Sequence, residues 1–191
     1  MQKTIIKSAL ITLAGIILAL GLVFGGFAIF NPTSLGDFFS QMGMENCALG
    51  CYENAYKKDE STQNLTRLLN SAIISENGEV LSEYFVYLEE QSTAVSDNYF
   101  LTVAGEYYEE LIKQGKKDDA VNKAYDHAVS YLRVYPLQAL TAYGITNEDK
   151  ELCEKVLSAL NSFSSQMPPN LSAEEQSALQ STLNALQTYL N

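Results

Sequence analysis

Residues 35–55 read LGDFFSQMGMENCALGCYENA, and the spacing of their apolar side chains favours one local structure, two short helices joined at a glycine. Leu35, Phe38, Phe39 and Met42 fall on one face at helical spacing. Gly43 breaks the pattern, and Ala48, Cys51, Tyr52 and Ala55 restore it on a second helix. Gly36 and Ala48 are small enough to let the two backbones approach closely. A hairpin this short cannot bury its apolar face alone, so it requires packed neighbours.

The rest of the chain supplies them. After the polar break KKDESTQ, the spacing of Leu65, Leu68, Leu69, Ala72 and Ile73 predicts a helix over 64–75, stopped at Glu76, Asn77 and Gly78. Leu81, Tyr84, Phe85 and Leu88 predict another over 80–90. A further hairpin is expected from helices at 99–113 and 118–134, turning at Gln114 to Lys117, with Ala120, Ala124 and Ala128 as a small packing face. The interval from Gly115 to Ala120 repeats that from Gly43 to Ala48, which is the internal sign of a repeat. Pro136 is expected to stop the second of these helices. A last pair is then read over 137–143 and 147–163, the latter capped by Asn147 with Glu148 and Asp149 in its first turn. Met167, Pro168 and Pro169 form a hard break. Ser172 to Glu175 is a capping box opening a final helix, whose seam is Leu179, Leu183, Leu186 and Leu190.

The stretch 35–55 resembles a tetratricopeptide repeat, a family whose first helix carries Leu-Gly-x-x-Tyr and whose second carries Ala-x-x-x-Phe followed by Ala. Leu35, Gly36 and Phe39 match the first motif; Ala48, Tyr52 and Ala55 match the second. The family's tryptophan position falls on Pro32 and its closing proline on Glu60. The resemblance implies a solenoid of stacked antiparallel hairpins that binds proteins or peptides, and the last helix is expected to cap its end.

Ahead of this region, residues 8–30 run without a charged side chain, from Ser8 to Phe30. Their apolar part spans about 33 Å at about 1.5 Å per residue, enough for a hydrocarbon core of about 30 Å. The expectation is an uncleaved transmembrane signal anchor, since the run exceeds the usual signal-peptide core and lacks a small-x-small site before Asn31. Lys3 and Lys7 precede it, whereas the next basic residues are Lys57 and Lys58. The positive-inside rule then gives a cytoplasmic tail at 1–7, a single-pass span at 8–30 and an extracytoplasmic helical domain at 31–191, the arrangement of a bacterial cell-membrane protein. Thr33 or Ser34 is the expected cap of the first domain helix, with Asp37 in its first turn. Gly15 with Ala19 and Gly21 with Gly25 are small pairs of the kind that allow helix dimers, but glycine is common in such segments.

Chemistry is sparse. A net charge of -11 with no basic stripe argues against nucleic acid. Three cysteines, Cys47, Cys51 and Cys153, form no disulfide framework, and Cys47 with Cys51 lacks the second pair a metal would need. The single histidine, His127, sits among Ala124, Ala128 and Tyr131 and reads as a packed residue. Glu89 with Glu90 and Glu109 with Glu110 are adjacent on helices and point apart, as solvated faces do. No catalytic residue, cofactor site or metal site is assigned, and no enzyme activity is expected.

Twelve tyrosines, several between Tyr84 and Tyr143, suit either helix packing or a peptide-holding groove. The sequence therefore predicts an all-α protein: an N-terminal transmembrane helix, a tetratricopeptide-like solenoid and a capping helix. Its expected role is protein or peptide interaction at the outer face of the cytoplasmic membrane. The alternative is a self-assembling structural subunit of an envelope complex, with a homo-oligomer less favoured than a different partner.

Overall fold

The computed structural model describes residues 2–166 and 171–191, and within the first helix the side chains at 12–19, 21–23, 25, 26, 29 and 30. All regular structure among them is helical: α1 Gln2–Phe30, α2 Pro32–Gln41, α3 Glu45–Lys58, α4 Thr62–Ile74, α5 Gly78–Glu90, α6 Asp97–Lys113, α7 Lys117–Tyr131, α8 Tyr135–Thr146, α9 Lys150–Ser165 and α10 Ala173–Leu190, with a 3-10 turn at Ser92–Ala94. The chain is all-α, as its periodicity predicts. It divides into two compact units, residues 1–77 and 78–191. The break expected at Met167, Pro168 and Pro169 lies outside the described residues.

The transmembrane anchor expected over 8–30 is corrected. Among the described residues, no helix is long and apolar enough to cross a membrane. Lys3 and Lys7, from which the orientation is drawn, have side chains outside the described residues.

In the first unit, α2 begins a few residues earlier than predicted. Asn31, not Thr33 or Ser34, is the cap: its side-chain oxygen accepts the Ser34 N–H at 3.2 Å. Pro32 follows in the first turn, where its missing N–H costs nothing and its fixed φ already suits a helix. Asp37 is thereby moved out of the first turn, and it accepts a hydrogen bond from the Tyr52 hydroxyl at 2.9 Å. Burial, and next this hydrogen bond to Asp37, push the Tyr52 phenol above its ordinary range. Ala48, Leu65, Leu68 and Leu69 are fully buried, and Lys58 at the end of α3 donates to the Ile29 carbonyl at the end of α1.

One turn recurs along the chain. At the ends of α2, α4, α6 and α8, residues Gly43, Glu76, Gly115 and Glu148 take left-handed φ values of 71°, 53°, 79° and 55°. In each case the next N–H reaches back to the carbonyl five residues earlier: Met44 to Phe39 at 2.9 Å, and Asn77 to Ala72, Lys116 to Leu111 and Asp149 to Gly144 at 2.8 Å. This closes the helix end by satisfying carbonyls that have no intrahelical partner. Five residues after each left-handed residue stands a buried side chain, Ala48, Leu81, Ala120 and Cys153 in turn. Leu132 at the end of α7 repeats it at φ 52°, with the Arg133 N–H reaching the Ala128 carbonyl at 3.1 Å and Leu137 buried five residues on, so the device occurs five times among the described residues and glycine marks only two of them.

In the second unit, α7 packs against α6, α8 and α9, and α10 lies against α8 and α9. Phe85, Phe100, Tyr108, Leu137, Leu140, Leu152, Leu160 and Phe163 are among its fully or almost fully buried side chains. Two predicted boundaries shift. Helix α7 stops at Tyr131, where Leu132 turns left-handed at φ 52°, and Pro136 sits in the first turn of α8 instead of terminating α7. Asn147 closes α8, while Asp149 caps α9 by accepting the Leu152 N–H at 3.1 Å. Ser172 caps α10 through the Glu175 N–H at 3.2 Å, but the Glu175 carboxylate turns inward. It accepts from Arg133 Nη1 at 3.0 Å and from the buried Val134 N–H at 2.7 Å. Leu179 and Leu186 are buried, whereas Leu183 is only half-buried.

Candidate functional site

The helical periods of α6 and α8 place two stripes of side chains opposite one another. Thr102, Gly105, Glu106 and Glu109 follow i, i+3, i+4, i+7 spacing on α6. Tyr135, Gln138, Ala139, Ala142, Tyr143 and Thr146 continue one face along α8. Between them runs an open groove of about 610 Å³, lined also by Asn147. Its floor includes small residues: a Cβ on Gly105 would stand 3.8 Å from the Tyr135 hydroxyl and 3.9 Å from the Ala139 Cβ, ordinary contact distances. A second hollow of about 320 Å³ shares Thr102, Tyr135 and Gln138 with the first and extends the groove to Arg133, Glu174 and Glu175 on the α10 side.

The groove is acidic. Glu106 and Glu109 line its wider part and Glu174 its narrower part. Among the described residues lining either part, Arg133 is the one cation, and its guanidinium is committed to Glu175. Burial, and then the neighbouring charge of Glu106, push the Glu109 carboxyl above its usual range, with Lys113 acting against them. Tyr135 is 43% exposed, so its ring is available from solvent.

His127 lies on the other side of α6. Its Nε2 stands 3.3 Å from Glu89 Oε1, and its Nδ1 stands 2.5 Å from the Tyr108 hydroxyl. A carboxylate only accepts, so Nε2 carries a proton and, in the neutral ring, Nδ1 accepts from Tyr108. Lys123 completes the cluster with 2.6 Å and 2.9 Å contacts to the two Glu89 oxygens. Phe100 meets the imidazole edge-on at 5.0 Å. Tyr108 is fully buried and its phenol is raised, first by burial and then by Glu89. The cluster ties α5, α6 and α7 together through charge and hydrogen bonds. The sequence placed His127 among packed residues but read Glu89 as solvated; its partners are 34 and 38 residues away, beyond any local pattern.

The structure separates the tyrosines. Tyr84, Tyr107 and Tyr108 are buried in the helix packing, whereas Tyr135 and Tyr143 line the groove. Glu109, read as a solvated residue, lines it too. The signal that sequence reasoning missed is the stripe of small and polar residues on α6, next to the apolar stripe that faces the core. Cys47 is exposed, while Cys51 and Cys153 are buried with thiols raised chiefly by that burial. Among the described residues no cluster of three or more His, Cys, Asp or Glu side chains is placed to hold a metal.

No protein-family model, curated protein or solved structure matches the chain.

Proposed function

We propose that the protein is an interaction module that holds a peptide segment of a partner in the groove between α6 and α8. The observation that carries this reading is the groove itself: a small-residue floor with two tyrosines and hydrogen-bonding side chains along its walls. Tyrosine offers contact area with a polar tip at little entropic cost, which suits recognition of a chain segment. The self-assembling subunit has less support, because Leu179 and Leu186 of the last helix are spent within the chain's own core.

A photoreactive side chain at Thr102, which lines both parts of the groove, tests the reading. It is expected to crosslink a discrete partner in extracts of the source cells. The same probe at exposed Ser181 on α10 is not, and Ala142→Trp, which fills the groove from an exposed position, should abolish the product. Equal crosslinking from both positions, or no effect of Ala142→Trp, overturns the proposal.

A further inference from the structure

We infer that the segment this groove takes carries two cationic side chains, lysine or arginine, one seated at Glu106, Glu109 and Tyr143 and the other at Glu174 and Tyr135. The inference rests on the reading of the groove as a peptide site and names the chemistry of its occupant. Four carboxylates line the two parts of the groove, and one of them, Glu175, already holds Arg133, the cation among the described lining residues. An acidic segment would meet like charge here on a chain whose net charge is -11. A cationic one gains a charge-assisted hydrogen bond to a carboxylate and a cation–π contact with a tyrosine ring at the same station.

The two stations follow from the helix geometry. Tyr143 lines the wider part with Glu106 and Glu109, and Tyr135 stands at the junction with the part that holds Glu174. Glu106 and Glu109 are three residues apart, so their Cβ atoms are about 5 to 6 Å from one another and one guanidinium can sit between them. Tyr135 and Tyr143 are two turns apart on α8, about 12 Å at about 1.5 Å per residue. An extended peptide covers that distance in about three to four residues.

A phage-displayed random octapeptide library, selected on the full chain and counter-selected on Ala142→Trp, tests the inference. The expected winners carry two Lys or Arg residues three or four positions apart. Their binding by fluorescence anisotropy should weaken about tenfold on Glu106→Gln with Glu109→Gln, and several-fold on Glu174→Gln. Winners sensitive to Ala142→Trp but without Lys or Arg enrichment overturn the cationic assignment and leave the groove reading standing. Cationic winners indifferent to Ala142→Trp and to the Glu substitutions overturn it as well, because they report diffuse attraction to an acidic protein. A selection that yields no binder sensitive to Ala142→Trp overturns both.

Discussion

Gly36 lies directly against the ring of Tyr52: a Cβ built on Gly36 would stand 2.6 Å from Tyr52 Cε1 and 2.8 Å from Cδ1. The ring is not free to swing away, because its hydroxyl is held by Asp37 at 2.9 Å. Glycine is thus a packing requirement of the α2–α3 contact. The same relation joins α8 to α9, where a Cβ on Gly144 would meet Cys153 Sγ at 2.8 Å.

Gly36→Ala is therefore expected to destabilise the protein. Relief of glycine's helix penalty is worth about 1 kcal/mol, but overpacking costs roughly 1 to 3 kcal/mol. Gly50→Ala on α3 provides the control, since nothing lies within 4 Å of its added Cβ. There the helix term acts alone, and stability should rise by about 0.5 to 1 kcal/mol. Urea titration of both variants checks the opposite signs; two shifts of the same sign would refute the packing argument.

Ala48 is fully buried in the same contact. Ala48→Leu adds three heavy atoms where none fits, and should cost roughly 1 to 3 kcal/mol. An unchanged denaturation midpoint would mean that the α2–α3 interface is looser than described.

Glu148 adopts φ 55° in the turn that Gly43 and Gly115 make with glycine. A non-glycine residue in this conformation costs about 1 to 2 kcal/mol, so Glu148→Gly should raise stability by about 1 kcal/mol in spite of glycine's larger unfolded-state entropy. The thermal midpoint is the readout, and a fall would show that the Glu148 side chain contributes more than the strain it carries.

The Glu89 cluster predicts an acid-dependent loss of stability. Burial alone would raise this carboxyl, but the hydrogen bonds from His127 and Lys123 outweigh burial and hold it below its ordinary 4.5. A carboxyl depressed in the folded state contributes stability that is present above its unfolded pKa and lost as pH falls through the folded value. Glu89→Gln should accordingly cost roughly 1 to 3 kcal/mol at neutral pH. The gap from the parent should narrow as pH drops below about 4.5. Melting curves across pH test this, and a constant gap would rule out the charge as its source.

Glu175→Ala removes the acceptor of the buried Val134 N–H as well as the Arg133 partner. An orphaned buried donor costs roughly 1 to 3 kcal/mol. Loss of the Ser172 cap by Ser172→Ala should cost about 1 kcal/mol. Hydrogen exchange at the Val134 amide would separate the two, since Glu175→Ala alone exposes it.

What the sequence determined by itself was local. Apolar residues at helical spacing fix which stretches are helices. Gly43 and Gly115 mark turns because only glycine enters the left-handed region without cost, and Gly36 and Ala48 reveal a close contact because no larger residue fits. The tertiary structure decided the rest. Glu76 and Glu148 make the same turn without glycine, held there by the helices on either side, so no residue type announces it. Asn31 and Asp149 cap helices whose starts were misplaced by a few residues, since several polar neighbours compete for that role and packing selects among them. The apolar residues of 8–30 invited a membrane span, yet among the described residues no helix meets the requirement. Glu89 and His127 are partners across helices, and Glu109 and Tyr143 line one groove from two helices. Such pairings depend on how helices pack, a long-range outcome that the spacing along a single helix does not encode.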